Sequence, residues 1–202
     1  MDNPKLESSV FNNSLELAKN FLQRLIGPPI DEIGLLLSDN VKIWRLRNQL
    51  KNLEKVKKIV DENNVSIKQI SLKILVPYLE GISLEDNEEL QNIWANLFVN
   101  YIDSEKNLQN NVYPLILRQL STDDINILIY LEEKHKIYVD FRSIDKINHT
   151  YERMINLERL GLIREVVGIN KYGYESKDFE TLSTDEFYLT KFGSEFIMAC
   201  KR

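Results

Sequence analysis

Apolar residues recur at helical spacing through most of this chain, and in its last third the pattern breaks into shorter runs. Within residues 13–26, Leu15, Ala18, Leu22 and Leu25 make a wide apolar face with Leu17, Phe21 and Ile26 beside them, behind Asn13 or Ser14 as the cap. Gly27 and Pro28 stop that helix, and Pro29 suits the first position of the next, where a missing N–H costs nothing. Ile33, Leu37, Val41 and Trp44 continue at helical intervals, and Leu46, Leu50, Leu53 and Val60 extend the stripe. This predicts one long helix from Ile30 to about Asp61, with a break at Ser38 and Asp39. Residues 71–82 begin another helix, with Pro77 either near its start or at a kink. Ser83 or Asp86 is the expected cap of the helix after it. Glu88 and Glu89 fall in its first turn, where the dipole favours them, and Leu90, Ile93, Trp94, Leu97, Phe98 and Tyr101 form its buried stripe.

The polar run SEKNLQNN at 104–111 reads as the domain boundary. Beyond YPLILRQL, Ser121, Thr122, Asp123 and Asp124 cap a helix through Ile125, Leu128 and Leu131. A helix around 144–147 leads to YERMINLERLGL, which Gly161 ends in the manner of a left-handed cap. LIREVVG and EFYLT read as strands, and KFGSEFIMACK closes as a helix. Three helices, a strand, a long polar turn, a strand and a helix is the order of a winged helix-turn-helix. The expected architecture is mostly α: a flexible N-terminus at 1–12, a helical domain with a long helix at 13–104, and a winged-helix-like α+β domain with a small β-hairpin wing at 112–202.

Charge changes this picture. The window VKIWRLRNQLKNLEKVKKIV at 41–60 holds seven Lys or Arg against the single acid Glu54, so it carries +6 and leaves −11 to the rest of a chain whose net charge is −5. At 100° per residue, Lys51, Lys55 and Lys58 fall on one side of this helix and Arg47 joins them, while the leucines occupy another. Arg45, Arg47, Lys51, Lys55 and Lys58 are the candidate anionic-partner surface, and Trp44, Leu46, Leu50 and Leu53 the candidate interface. The competing reading is a solvated helix side, with Lys42 and Lys57 included, neutralised by Glu85, Asp86, Glu88 and Glu89. Trp44 and Trp94 both read as core or interface anchors; Trp44 sits where the apolar and basic parts of the helix meet, the place of an interfacial membrane anchor, but core packing is favoured for it.

The winged-helix-like region lacks the basic excess of a DNA reader. Across 142–165, Arg142, Lys146, Arg153, Arg159 and Arg164 are nearly balanced by Asp145, Glu152, Glu158 and Glu165. The wing at 168–186 sets Lys171 and Lys177 against Glu175, Asp178, Glu180, Asp185 and Glu186. A protein-contact or dimerisation use of the fold is favoured over direct DNA reading.

Signals for an enzyme are poor, and a binding protein is favoured. His135 and His149 are the two histidines and have no ligand-like spacing, Cys200 is the single cysteine, and Gly27 and Gly81 stand outside any phosphate-binding loop. Asp123 with Asp124, and Glu88 with Glu89, are adjacent residues that diverge on a helix, and capping accounts for them. No catalytic, cofactor-binding or metal-ligating residue is expected, and no cofactor. One cysteine, no secretory signal and no apolar run near the ~20 residues of a membrane span point to a soluble, cytoplasmic protein, with peripheral membrane contact as the alternative.

The chain resembles the Abi-alpha family of bacterial abortive-infection proteins. The pieces that carry the resemblance are FLQRLIGPPIDEIGLLLSDNVKIWRLRNQ, LKILVPYLEGISLEDNEELQNIWANLF, LRQLSTDDINIL, and NLERLGLI with YLTKFGSEFIMAC, in that order over roughly residues 13–200. An Asn-rich loop at 107–111 and an extended wing are the departures. The resemblance implies phage resistance and hands over no active-site residues. The expected partners are a second copy of the chain or another protein, with nucleic acid or an anionic membrane as alternatives.

Overall fold

The computed structural model describes residues 4–26, 43–138, 147–169 and 181–202. The chain divides into two compact units, Met1–Gln119 with Ala199–Arg202, and Leu120–Met198. The described residues are mostly helical, with eight helices and one small antiparallel sheet.

The first unit holds α1 (Pro4–Ile26), α2 (Ile43–Glu62), α3 (Leu72–Leu84), α4 (Glu88–Ile102) and the short α5 (Tyr113–Leu117). Helix α2 packs against α1, α3 and α4, and α3 against α4 and α5. The expected periodicity is realised as burial: Leu22, Leu25, Leu53 and Val56 are enclosed, as are Leu75, Tyr78, Trp94 and Phe98. The Tyr78 and Phe98 rings stack at 3.8 Å between centroids, and Trp94 meets Tyr78 edge-on at 5.9 Å. Gly81 makes room for the indole, because a Cβ there would lie 2.3 Å from Trp94 Cη2.

Several boundaries differ from the sequence expectation. Helix α1 starts at Pro4, so residues 4–12 are helical instead of a flexible lead. The long helix is seen as Ile43–Glu62; residues 30–42, with the expected break at Ser38 and Asp39 and with Lys42, lie outside the described residues. Ser71 caps α3, accepting from the Lys73 N–H at 3.2 Å, and Pro77 lies inside that helix. Helix α4 is capped neither by Ser83 nor by Asp86. Asn87 Oδ1 accepts from the N–H groups of Glu89 and Leu90, both at 3.0 Å, while Ser83 remains in the last turn of α3 and donates to Glu80 O at 2.7 Å. The helix before simply runs longer than its pattern.

The loop at 104–111 is not the boundary, which falls after Gln119. Its backbone is tied down: Ser104 N–H donates to Ser66 O at 2.8 Å, Lys68 N–H to Ile102 O at 2.7 Å, and the Tyr101 hydroxyl to Asn110 O. The last residues return to the first unit. Asn100 Nδ2 donates to the carbonyls of Ala199 and Lys201 at 2.7 and 2.8 Å, and Arg202 Nη2 meets Asp103 Oδ2 at 3.2 Å.

The second unit comprises α6 (Thr122–Lys134), β1 (Lys136–Tyr138), α7 (Ile147–Arg159), β2 (Ile163–Ile169), β3 (Thr181–Leu189) and α8 (Lys191–Cys200) as far as Met198. Ser121 and Asp124 form a reciprocal capping box on α6. Gly161 takes φ +74° after α7, as its expected cap role requires. The sheet order is β1-β3-β2, all antiparallel, with Lys136 opposite Tyr188 and Ile163 opposite Leu189. Strand β1 is an addition to the expected hairpin. Most of the expected wing, residues 170–180, lies outside the described residues.

Candidate functional site

Helix α2 has three sides, and the chemistry of each follows from its neighbours. Its apolar side is enclosed within the first unit: Leu50 and Leu53 are 4% and 2% exposed, and Leu46 is half-buried. The leucines expected at an interface therefore pack inside one copy. Beneath α2, Asn52 joins a buried polar network. Its Nδ2 donates to Gln91 O at 2.7 Å and Gln91 Oε1 at 2.5 Å, and its Oδ1 accepts from the Tyr78 hydroxyl. Gln91 Nε2 in turn donates to Glu85 O at 2.7 Å. Burial pushes the Tyr78 phenol well above its ordinary range, so it stays protonated and able to donate.

The third side carries the basic stripe. Trp44, Arg47, Lys51, Lys55 and Lys58 share one face by helical spacing, and all but the half-buried Lys55 are exposed. Trp44 is 47% exposed, with the Arg45 guanidinium 5.5 Å from its ring centroid. Lys51 Nζ lies 2.5 Å from Glu88 Oε2; Lys55 reaches Glu88 Oε1 and, at 2.6 Å, Asn92 Oδ1. Lys57 pairs with Asp61 at 2.5 Å and Lys58 with Glu62 at 3.8 Å along the helix. Among the described residues no carboxylate comes within ion-pair distance of Arg45 or Arg47. Neutralisation thus begins at Lys51, and among the described residues the Trp44 end keeps its positive charge.

Glu88 is a shared clamp. Hydrogen bonds from Lys51 and then Lys55 hold its carboxyl down to about 2. An unfolded glutamate titrates near about 4.3, so the clamp's contribution to stability is fully present above that value and is lost as pH falls toward about 2. An NMR titration of the Glu88 carboxyl carbon is expected to show its midpoint near about 2, and Glu88→Gln to flatten the dependence of melting temperature on pH in that interval. A midpoint in the ordinary glutamate range would mean that no clamp exists in solution.

Other candidate chemistry is dispersed. His135 takes a left-handed conformation as the C-cap of α6, and Cys200 is buried, its thiol pushed up by that burial. The side chain of His149 lies outside the described residues. Among the described residues no group of three His, Cys, Asp or Glu is placed to hold a metal ion, and no helix is long and apolar enough to cross a membrane. In α7, Arg153 is turned to its own unit, with Nη1 2.6 Å from Ser121 Oγ and Nη2 2.8 Å from Asp123 Oδ2. The Asn52, Gln91 and Tyr78 network was missed in the sequence. Its signal was there: Gln49 and Asn52 interrupt the enclosed side of α2 at core spacing.

The family model for abortive infection alpha matches residues 41–200. The chain belongs to the abortive infection alpha family. The match opens two residues before α2 and closes with α8, so the basic stripe, its Glu88 clamp and the sheet fall inside the abortive infection alpha segment, and α1 lies outside it. Of the sequence pieces quoted above, residues 21–40 also precede it. No curated protein and no solved structure matches the chain.

Proposed function

We propose that this protein serves phage defence by abortive infection as a binding protein, and that the Trp44 end of α2 meets an acidic protein partner. The observation that carries this reading is a half-exposed tryptophan beside Arg45 and Arg47, on the part of the stripe that Glu88 does not neutralise. Tryptophan and arginine are the side chains that dominate protein interfaces when truncated. A membrane is the weaker partner, because an interfacial helix must offer its apolar face to lipid, and that face of α2 is enclosed by the first unit. Nucleic acid is weaker too, since Lys51, Lys55, Lys57 and Lys58 each already have an acidic neighbour. A single buried cysteine suits a reducing cytoplasm.

The chain's two tryptophans supply the test, because Trp94 is buried and Trp44 is open. Polyglutamate added to the full chain is expected to shift Trp44 emission to the blue and shield it from a soluble quencher, and Arg47→Glu to remove the response. In bacteria, Trp44→Ala with Arg47→Glu is expected to abolish protection against phage at unchanged protein level. Full protection, or a response to duplex DNA or anionic vesicles but not to polyglutamate, would reject the reading.

For the second unit, the order α6, β1, α7, β2, β3, α8 and the β1-β3-β2 sheet support a winged-helix-like reading with α7 in the recognition position. Its exposed side chains include Glu152, Ile155, Glu158 and Arg159, while Arg153 is held by acids of its own unit. That surface suits contact with protein better than contact with phosphate.

A further inference from the structure

The enclosed leucines of α2 leave open where two copies of this chain would meet, and the first unit offers a different apolar surface. Helices α3 and α5 border a groove of about 560 Å³ lined by Leu72, Lys73, Val76, Pro77, Val112 and Leu115. Leu72, Val112 and Leu115 are each close to half exposed, as is Leu84 at the far end of α3. Isolated exposed leucines are ordinary, but several sharing one groove form a patch that a soluble surface rarely leaves uncovered.

The charges around the groove indicate what covers it. Lys73 and Glu80 lie seven residues apart on the same face of α3, with Val76 and Pro77 midway between them. Among the described residues Lys73 has no ion-pair partner, and Glu80 has Arg118 as its one ion-pair partner, at 3.6 Å. A helix marked in this way is complementary to itself when reversed. If a second α3 crosses antiparallel at the midpoint, Lys73 of each copy faces Glu80 of the other, and Leu72 of each falls within about one turn of the other's Leu84. The Lys73–Glu80 pair then forms twice, once on each side of the two-fold axis, and Val76 enters the opposite groove.

We infer that the occupant of the α3–α5 groove is a second copy of this chain, docked antiparallel through α3 as a two-fold dimer. The inference uses no residue of α2, so it stands or falls separately from the proposed function.

Sedimentation of the full chain from low to high micromolar concentration is expected to show a reversible dimer. Leu72→Glu and Leu115→Glu should each weaken it by about a hundredfold, because a carboxylate would have to be buried against leucine, and both positions are open enough for the fold to persist, which circular dichroism checks. Lys73→Glu should weaken it by about tenfold, and the swap Lys73→Glu with Glu80→Lys should restore much of the loss. The swap is decisive, since only facing charges are rescued by exchange. A monomer at every concentration, a dimer untouched by both leucine substitutions, or a swap no better than Lys73→Glu alone would each overturn the inference. A dimer lost instead on Trp44→Ala would do the same, by placing self-association on α2.

Discussion

Gly193→Ala is expected to lower the melting temperature of the second unit sharply, with a loss of about 3 kcal/mol, the upper part of the range for overpacked sites. A Cβ at Gly193 would stand 2.0 Å from Leu162 O, 2.8 Å from Leu162 C and 3.0 Å from Leu189 Cδ1. The first two are backbone atoms, so no rotamer change relieves the contact. Nor is that carbonyl free to move, for it accepts from Thr190 N–H at 3.0 Å and from the Thr190 hydroxyl at 3.1 Å. Thr190 in turn accepts from Gly193 N–H at 2.9 Å, so displacing the first turn of α8 also breaks its own capping bond. Thermal unfolding followed by circular dichroism, with limited proteolysis to locate the opened segment, checks this. An unchanged melting temperature would show that α8 does not approach Leu162 so closely in solution.

The second large effect is expected in the first unit. Asn52→Leu keeps the number and branching of the side-chain heavy atoms but leaves Gln91 Oε1 and the Tyr78 hydroxyl buried without Asn52 as their partner. Each such orphan costs about 1–3 kcal/mol, so a loss of about 3 kcal/mol is expected in urea denaturation. Tyr78→Phe introduced on top should recover part of that loss, because it removes one orphan. A coupling of about 1 kcal/mol or more between the two positions is the expected reading, and strict additivity would mean that the network contributes nothing as a unit.

Local signals in the sequence were reliable where the physics is local. Ser121 and Gly161 cap the helices they were expected to cap, because a hydroxyl three residues from an N–H, or a glycine at positive φ, needs no distant partner. Strand β1 was not legible, since three residues are too few to display an alternation, and they pair with β3 about fifty residues later. The loop at 104–111 looked like a linker by composition, and only its hydrogen bonds to the 66–68 segment reveal it as fixed. For the candidate site, the direction of the lysine stripe followed from helical geometry alone. Its neutralisation was foreseen as the competing reading, with Glu88 among four acids, but which acid meets which lysine was not legible, because Lys55 and Glu88 are 33 residues apart and meet through the packing of α2 on α4.

The return of Ala199–Arg202 to the first unit bears on how the protein is made. The second unit is an insertion between two pieces of the first, so a single proteolytic nick cannot release it intact. Asn100 also waits for carbonyls that are synthesised about a hundred residues later.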